Sequence, residues 1–262
     1  SMLSGIVLND ASITFGDSSD HTFDGMLAGG GTFDKTGSGV LRLTGAHSHN
    51  GLFNVTSGVL DLDGTIASRF TVGPGATLRE LGTIFGSATI DGLLSIPSPA
   101  PSAGATTSRL AADGPFDASP LLMIGGDLNI TPGARLSMPV MFGSTPSIYV
   151  GGTASFNGAT IDVTPTEPLT ERSTSFLALA AANGLQFLNT TGTTSNPMYL
   201  PVLRPDRNSL VVTILNMGIP LSSDVTDPNA ASVGRVIDNF KNNPTPDQQT
   251  VIRELTGLND GE

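Results

Sequence analysis

Short segments in which apolar and polar residues alternate, each led by a glycine, recur along the first part of the chain. They begin at Gly39, Gly58, Gly75 and Gly92, which are 19, 17 and 17 residues apart. In the second segment, "GVLDLDG", Leu60 and Leu62 fall on one face of a strand, because side chains alternate along it. Val59, Asp61 and Asp63 fall on the opposite face. The pattern predicts strands with one face in a core and the other in solvent.

The spacing of these segments predicts a repeated coil. Further alternating runs lie between them: "LFNV" (52–55), "RFTV" (69–72) and "SATI" (87–90). A coil of roughly 17 to 25 residues with two or three short strands is typical of a parallel β-helix, whose stacked coils bury one continuous core. We therefore predict an all-β chain folded as a right-handed parallel β-helix. The predicted stacked core contains, in or near it, Leu41, Leu43, Leu60, Leu62, Leu78, Leu93 and Ile96.

An antiparallel β-sandwich is the alternative architecture. Its paired strands would be joined by two-residue hairpin signals such as Asn-Gly. Such pairs occur at Asn50-Gly51, Asn157-Gly158 and Asn183-Gly184. The sandwich therefore stays open beside the β-helix.

The pattern divides the chain into four parts. Residues 1–96 hold the glycine-led coils. Residues 97–120 are rich in Pro, Ser and Ala and have no apolar periodicity, which indicates a surface insertion or a hinge. Strand patterns resume over 121–215, interpreted as C-terminal coils and a cap. Residues 216–262 are predicted to form a helical linker.

Two short amphipathic helices are predicted within that linker, over 227–240 and 245–258. Asp227 and Thr245 are suitable N-cap residues, and each is followed by a proline at the first helical position. The fold class is therefore all-β with a short α-helical C-terminal linker.

Composition and charge exclude several classes of function. The net charge of −11 and the lack of any basic cluster argue against a nucleic-acid partner. The chain has no cysteine, which excludes disulfides and thiolate metal sites. No run of about 18 apolar residues is present that could span a bilayer as a helix, and "SMLSGIVLND" does not have the pattern of a signal peptide.

The run "GDSSD" (16–20), followed by His21, invites comparison with esterases that use a Gly-Asp-Ser nucleophile. Such a hydrolase also needs a histidine base, which in those enzymes follows an aspartate by three positions. The only histidines are His21, His47 and His49, and none has an aspartate three residues before it. A turn of the coil is the expected role of this run, including Ser18.

His47 and His49 lie two residues apart on one face of an extended segment and could supply half of a zinc site. No cysteine and no carboxylate at ligand spacing completes it. We predict a solvated turn here and no metal.

Three aspartates, Asp61, Asp63 and Asp91, are expected to project outward from neighbouring coils, where β-helical polysaccharide lyases bind calcium and substrate. A lyase also needs a basic group beside them, and Arg42 and Arg79 are the candidates. The polar face of a strand explains these charges without chemistry. The sequence thus predicts no catalytic, cofactor-binding or metal-binding residue, and no cofactor.

Residues 20–64 resemble the passenger-associated repeat of bacterial autotransporters, on segments such as "GSGVLRLTG" and "GVLDLDG". Residues 65–96 resemble its usual continuation. Residues 121–163 and "SFLALAAANGLQF" (175–187) are similar to the autochaperone or junction region at the end of such passengers. The tail, with "TPDQQ" and "LTGLNDGE", is similar to the linker that leads into the translocating β-barrel.

The chain departs from that family pattern in two places. His47 and His49 stand where the family's turn commonly has Asn and Thr or Tyr, and 97–120 replaces a short Pro-Gly-Asn turn. These departures leave the fold expectation intact and allow a decorated surface loop.

The resemblance implies a non-catalytic C-terminal passenger stem of type V secretion, which promotes passenger folding and secretion and displays an upstream effector. Its expected partners are its own C-terminal β-barrel translocator and that effector, and it is expected to be a monomer. The implied location is the cell surface or exterior of a Gram-negative bacterium.

Two other functions stay open. An adhesin, whose β-helix surface binds host or neighbouring cells, would need an exposed apolar or aromatic patch on that surface and would take a host surface ligand as partner. A polysaccharide-active enzyme would need a cluster of carboxylates and cations on one outer face.

Overall fold

The computed structural model describes residues 2–80, 82–97, 121–140, 147–165 and 168–219, with three isolated positions, 238, 245 and 247, beyond them. These residues form an almost entirely β structure. The first strands are β1 (Met2–Leu3), β2 (Ile6–Leu8), β3 (Ser12–Phe15), β4 (His21–Phe23), β5 (Met26–Ala28), β6 (Thr32–Lys35), β7 (Val40–His47), β8 (Leu52–Val55), β9 (Val59–Ile66), β10 (Arg69–Val72), β11 (Thr77–Glu80), β12 (Gly82–Ile84), β13 (Ala88–Ile90) and β14 (Leu93–Ser95). The later strands are β15 (Leu122–Ile124), β16 (Leu128–Ile130), β17 (Arg135–Val140), β18 (Ile148–Val150), β19 (Ala154–Asn157), β20 (Thr160–Pro165), β21 (Ser173–Ala181), β22 (Leu185–Leu188), β23 (Thr191–Thr193), β24 (Tyr199–Pro205) and β25 (Ser209–Asn216).

Most neighbouring strands are parallel and come from successive turns of the chain. The strand order of the largest sheet is β23-β20-β17-β14-β11-β9-β12-β15-β18-β21-β25-β24, with β7, β4 and β1 continuing from β9. A second sheet has the order β22-β19-β16-β13-β10-β8-β6-β3, and β2 pairs with β5. Parallel neighbours of this kind need a crossover, so each turn of chain returns to stack on the one before. The arrangement is compatible with a β-helix, and the antiparallel sandwich alternative does not fit it.

The register follows the glycine-led repeat with small changes of coil length. Val40 pairs with Val59, Val59 with Thr77, and Thr77 with Leu93. Inward residues stack on inward residues, as in the row Leu60, Leu78 and Leu94. The rings of Phe33 and Phe53, on adjacent coils, stack with their centroids 4.5 Å apart.

The predicted core is confirmed with one exception. Leu41, Leu43, Leu60, Leu62, Leu78 and Ile96 are buried. Leu93 is only half-buried and takes the outward position, while Leu94 occupies the core. Leu93 is the register partner of Thr77, which pairs with the outward Val59, whereas Leu94 pairs with the buried Leu78. Both residues after Gly92 are leucines, so residue type alone does not distinguish the inward position from the outward one.

One long strand, β9, pairs with two later strands, with β11 through Val59 and with β12 through Ile66. In turn, β11 pairs with β14 and β12 with β15, and the Pro/Ser/Ala-rich segment lies between β14 and β15 in the sequence. Of the predicted insertion 97–120, only Pro97 belongs to the described residues.

The two ends of the stack differ. Near the first coils, an apolar cavity of about 310 Å³ is lined by Val7, Ile13, Phe15, Phe33 and Leu43, among others. At the other end, β21 pairs with β25 in the antiparallel direction, and β25 pairs in the same way with β24. The parallel repeat thus ends in an antiparallel unit.

The predicted helices over 227–240 and 245–258 lie almost wholly outside the described residues and stay a prediction. Within the described part of the chain, no helix is long and apolar enough to cross a membrane.

Candidate functional site

Charged side chains gather on the outer face of the largest sheet. The parallel register sets Arg42 beside Asp61 and Asp61 beside Arg79, so the three residues form one row across β7, β9 and β11. Asp63 lies two residues along β9 and therefore points to the same side. Alternation along each strand, together with stacking of coils, is what brings these four residues together.

These side chains and Pro97 line a cavity of about 220 Å³, which we call the charged groove: Arg42, Asp61, Asp63, Arg79 and Pro97. Arg42 Nη2 lies 2.8 Å from Asp63 Oδ2, and Arg79 Nη1 lies 3.6 Å from Asp61 Oδ2. The Asp61 side chain is the least exposed of the four, at 19%. The groove holds two guanidinium groups and two carboxylates, so it offers hydrogen-bond donors and acceptors with no net charge.

Asp91, expected to project outward near Asp61 and Asp63, is not in the groove. It follows β13 in the second sheet, where its Oδ1 accepts a hydrogen bond of 2.6 Å from the Thr131 hydroxyl. The carboxylate serves a contact between coils.

The prediction of a solvated turn at His47 and His49 is wrong, because both side chains are buried. His47 Nδ1 accepts the backbone N–H of Leu27 at 3.2 Å, and its ring stacks on Phe23. Its Nε2 is buried without a hydrogen-bond partner among the described residues. Burial lowers the pKa of both histidines.

His49 belongs to a buried polar row that runs from coil to coil. Ser68 Oγ donates to the His49 carbonyl at 3.0 Å, so it accepts from His49 Nδ1–H, 2.6 Å away. His49 Nε2 is then the acceptor for Asn9 Nδ2, at 3.4 Å. This neutral tautomer satisfies the ring inside the stack. Across the described residues, no group of three or more His, Cys, Asp or Glu side chains is arranged to hold a metal ion.

The "GDSSD" run forms an exposed turn, as expected. His21 Nε2 lies 2.7 Å from Asp17 Oδ2, and Asp17 Oδ1 accepts the backbone N–H of Ser19 at 2.8 Å. The backbone hydrogen bond from Ser19, followed by the bond from His21, lowers the pKa of Asp17. Ser18 is exposed in this turn. The aspartate that partners His21 lies four positions before it.

Sequence reasoning missed a buried lysine. Lys35 is fully buried, and its ammonium group donates to the carbonyl of Gly37 and, at 3.3 Å, to that of Ser57. Burial is the main cause that lowers its pKa. The alternation in "TFDK" places Lys35 on the same face as Phe33, which is the signal that could have identified it.

An exposed apolar surface was also missed. Met123 and Tyr149 pair across β15 and β18, and Phe85 follows the adjacent strand β12. All three side chains are exposed, Phe85 to 61%. We call them the outer apolar patch. They come from segments far apart in sequence. The register sets Met123 beside Tyr149, and Phe85 lies two residues beyond Thr83, the register partner of Met123.

One curated protein gives a partial match. A 77-residue part of the chain is 40% identical to "Adhesin BmaC autotransporter" of Brucella suis biovar 1 (strain 1330). The match covers 28% of this chain and 2% of that protein, so the chain spans only a small part of the relative's length. A comparison with models of known protein families finds no match.

Proposed function

We propose that this chain is a non-catalytic stem from an autotransporter passenger, folded as a right-handed parallel β-helix, that carries an effector segment at the surface of a Gram-negative bacterium. The observation that carries the proposal is the difference between the two ends of the stack. One end presents an apolar cavity on its first coils, and the other ends in antiparallel strands.

A stacked repeat buries its apolar face only against a neighbouring coil, and its terminal unit needs a different surface. The antiparallel unit of β21, β25 and β24 lies at one end of the parallel stack, where such a terminal unit is needed. At the opposite end, Phe15 and Val7 are only partly buried, and Leu3, which lines the same cavity, is exposed. An additional coil stacked on this end would remove that surface from water, which supports a role in carrying further coils.

The partial similarity to an autotransporter adhesin supports the location and the class of protein. In this proposal the stem acts as a monomer, and residues 216–262 are the linker toward the chain's own β-barrel translocator. The stem promotes folding and secretion of the passenger by offering its first coil as a template.

The experiment is to add one coil to the first end. A copy of residues 42–60 fused before Met2 supplies one coil in register, because Met2 is equivalent in register to Arg42 and to Asp61, the residue that follows the copied segment. The fused coil should raise the thermal midpoint, because it buries the exposed apolar end. The control is the same fusion with its inward Leu43, Phe53, Val55 and Leu60 changed to Ser. Equal midpoints for the two fusions would contradict the proposed stacking end.

An adhesin is the second candidate function, and the outer apolar patch favours it. Exposed apolar patches often mark protein interaction sites, and Phe85, Met123 and Tyr149 form one outside the core. The test is adhesion of cells or beads that display the chain, compared with the Phe85→Ser and Tyr149→Ser double variant. Loss of adhesion in that variant would support it, and equal adhesion would count against it.

A further inference from the structure

We propose that the charged groove binds a neutral saccharide unit. This inference does not depend on the stem role, because it rests on one outer face of the sheet and not on the ends of the stack. The argument begins with charge. Arg42 and Arg79 are balanced by Asp61 and Asp63, so an anion would meet two carboxylates and a cation two guanidinium groups. A neutral polar ligand is repelled by neither the carboxylates nor the guanidinium groups.

The hydrogen-bonding groups fit hydroxyls on a ring. Each sugar hydroxyl can donate one hydrogen bond and accept others. The guanidinium fork of Arg42 or Arg79 presents N–H groups at the spacing of two neighbouring acceptors. The carboxylate of Asp61 accepts from hydroxyl donors. Anions and simple cations offer only one of these two roles.

The wall of the groove supplies an apolar contact. Pro97 lines the same cavity as the four charged side chains. Saccharide rings carry C–H groups on their faces, and these can pack against a proline ring while the hydroxyls reach the charged groups. A ligand with polar edges and an apolar face is what this combination suits.

Size and pairing set the scale of binding. The groove holds about 220 Å³, which is below the roughly 300–1,000 Å³ of pockets for drug-sized ligands. It therefore suits one or two sugar rings.

The ion pair between Arg79 and Asp61 is weak. Its contact of 3.6 Å is long for a hydrogen bond, and exposed ion pairs of this kind contribute little to stability. A ligand can therefore separate Arg79 from Asp61. We expect the saccharide to bind a single groove with a dissociation constant of about 1 mM.

The sheet offers a matched control pair. Arg135 Nη2 lies 3.6 Å from Asp162 Oδ2, at the same distance as the pair in the groove, and has similar exposure. Neither residue lines the charged groove. Changes at Arg135 and Asp162 therefore remove an equivalent ion pair and leave the proposed site intact.

The experiment applies the purified chain to an array of immobilised neutral, sialylated and sulfated oligosaccharides, followed by NMR titration with the neutral oligosaccharide that gives the strongest signal. Asp61→Asn and Arg79→Gln should each weaken binding at least tenfold, and Arg135→Gln should leave it within twofold. If Asp61→Asn or Arg79→Gln lowers the thermal midpoint, Arg42→Gln tests the groove instead, because Arg42 is exposed and its loss should not affect folding. Incubation of the bound oligosaccharide with the chain should leave its mass unchanged.

Four results would overturn the inference: no binding to any neutral oligosaccharide, binding only to the sialylated or sulfated ones, equal loss in the Arg135→Gln control, or no loss in the groove variants. Cleavage of the oligosaccharide would instead support the site and contradict the non-catalytic part of the proposed function. Failure of the fused coil to stabilise the chain bears on the stem alone, so the two proposals fail separately.

Discussion

The ring of Phe53 stacks on that of Phe70 in the next coil, with centroids 5.0 Å apart and planes 18° from parallel. The two residues are register partners in parallel strands, and Phe33 occupies the same position one coil earlier. A side chain in this row therefore contacts its counterparts above and below. Loss of one ring removes contacts with both neighbours.

Phe53→Ala should destabilise the chain by about 3–5 kcal/mol, because it opens a cavity in the middle of the aromatic row. Urea unfolding measures the change. The matched control is Phe85→Ala, which removes the same ring from an exposed position and should change stability by about 0.5 kcal/mol or less. Similar losses in the two variants would contradict the stacked core.

Stability should fall with acid because of the buried histidines. Burial lowers the pKa of His47 and His49 from 6.5, so below that pH the unfolded chain binds more protons than the folded chain. Their contribution is complete above about pH 6.5 and is lost as the pH falls toward the lowered folded values. Urea midpoints measured across this range should decline on acidification.

The matched variant for this pH effect is His47→Leu. His47 is the register partner of Ile66, so an apolar side chain suits the position. The variant should show a shallower decline of the urea midpoint between neutral and mildly acidic pH. A pH dependence identical to that of the unchanged chain would show that His47 does not contribute.

The buried ammonium group of Lys35 gives a third test. Lys35→Met keeps the apolar stem but removes the donor to the carbonyls of Gly37 and Ser57. We expect a loss of about 1–3 kcal/mol, the cost of an unsatisfied buried polar group. Lys35→Ala should cost more, because it also leaves a cavity. A methionine variant as stable as the unchanged chain would mean that these hydrogen bonds add nothing.

Alternation and spacing were enough to predict parallel coils and most of the core. Leu60, Leu62 and Leu78 face inward because a strand has a period of two and the coils repeat nearly evenly. Leu93 was misplaced because the two residues after Gly92 are both leucines, and a shift of one residue reverses the face of the strand. The register shows that Leu94 continues the buried row of Leu60 and Leu78.

The candidate site was only partly predictable. Arg42, Asp61, Asp63 and Arg79 could be named from the outward positions of their strands, but their pairing depends on which residues are register partners. The burial of His47 and His49 could not be read from residue type, since histidine is polar and the segment resembled a turn. Their partners Leu27, Asn9 and Ser68 come from three other coils.

The most direct test of the stem is hydrogen exchange at its two ends, measured by mass spectrometry on the purified chain. The account predicts rapid exchange in β1, β2 and β3, where the first coils have no neighbour on one side among the described residues. It predicts slow exchange in β21 and β25, which pair over much of their length and bury Val212 and Ile214. Faster exchange in β21 and β25 than in the first three strands, or equal protection at both ends, would contradict a stack that is closed at one end and ready to receive a coil at the other.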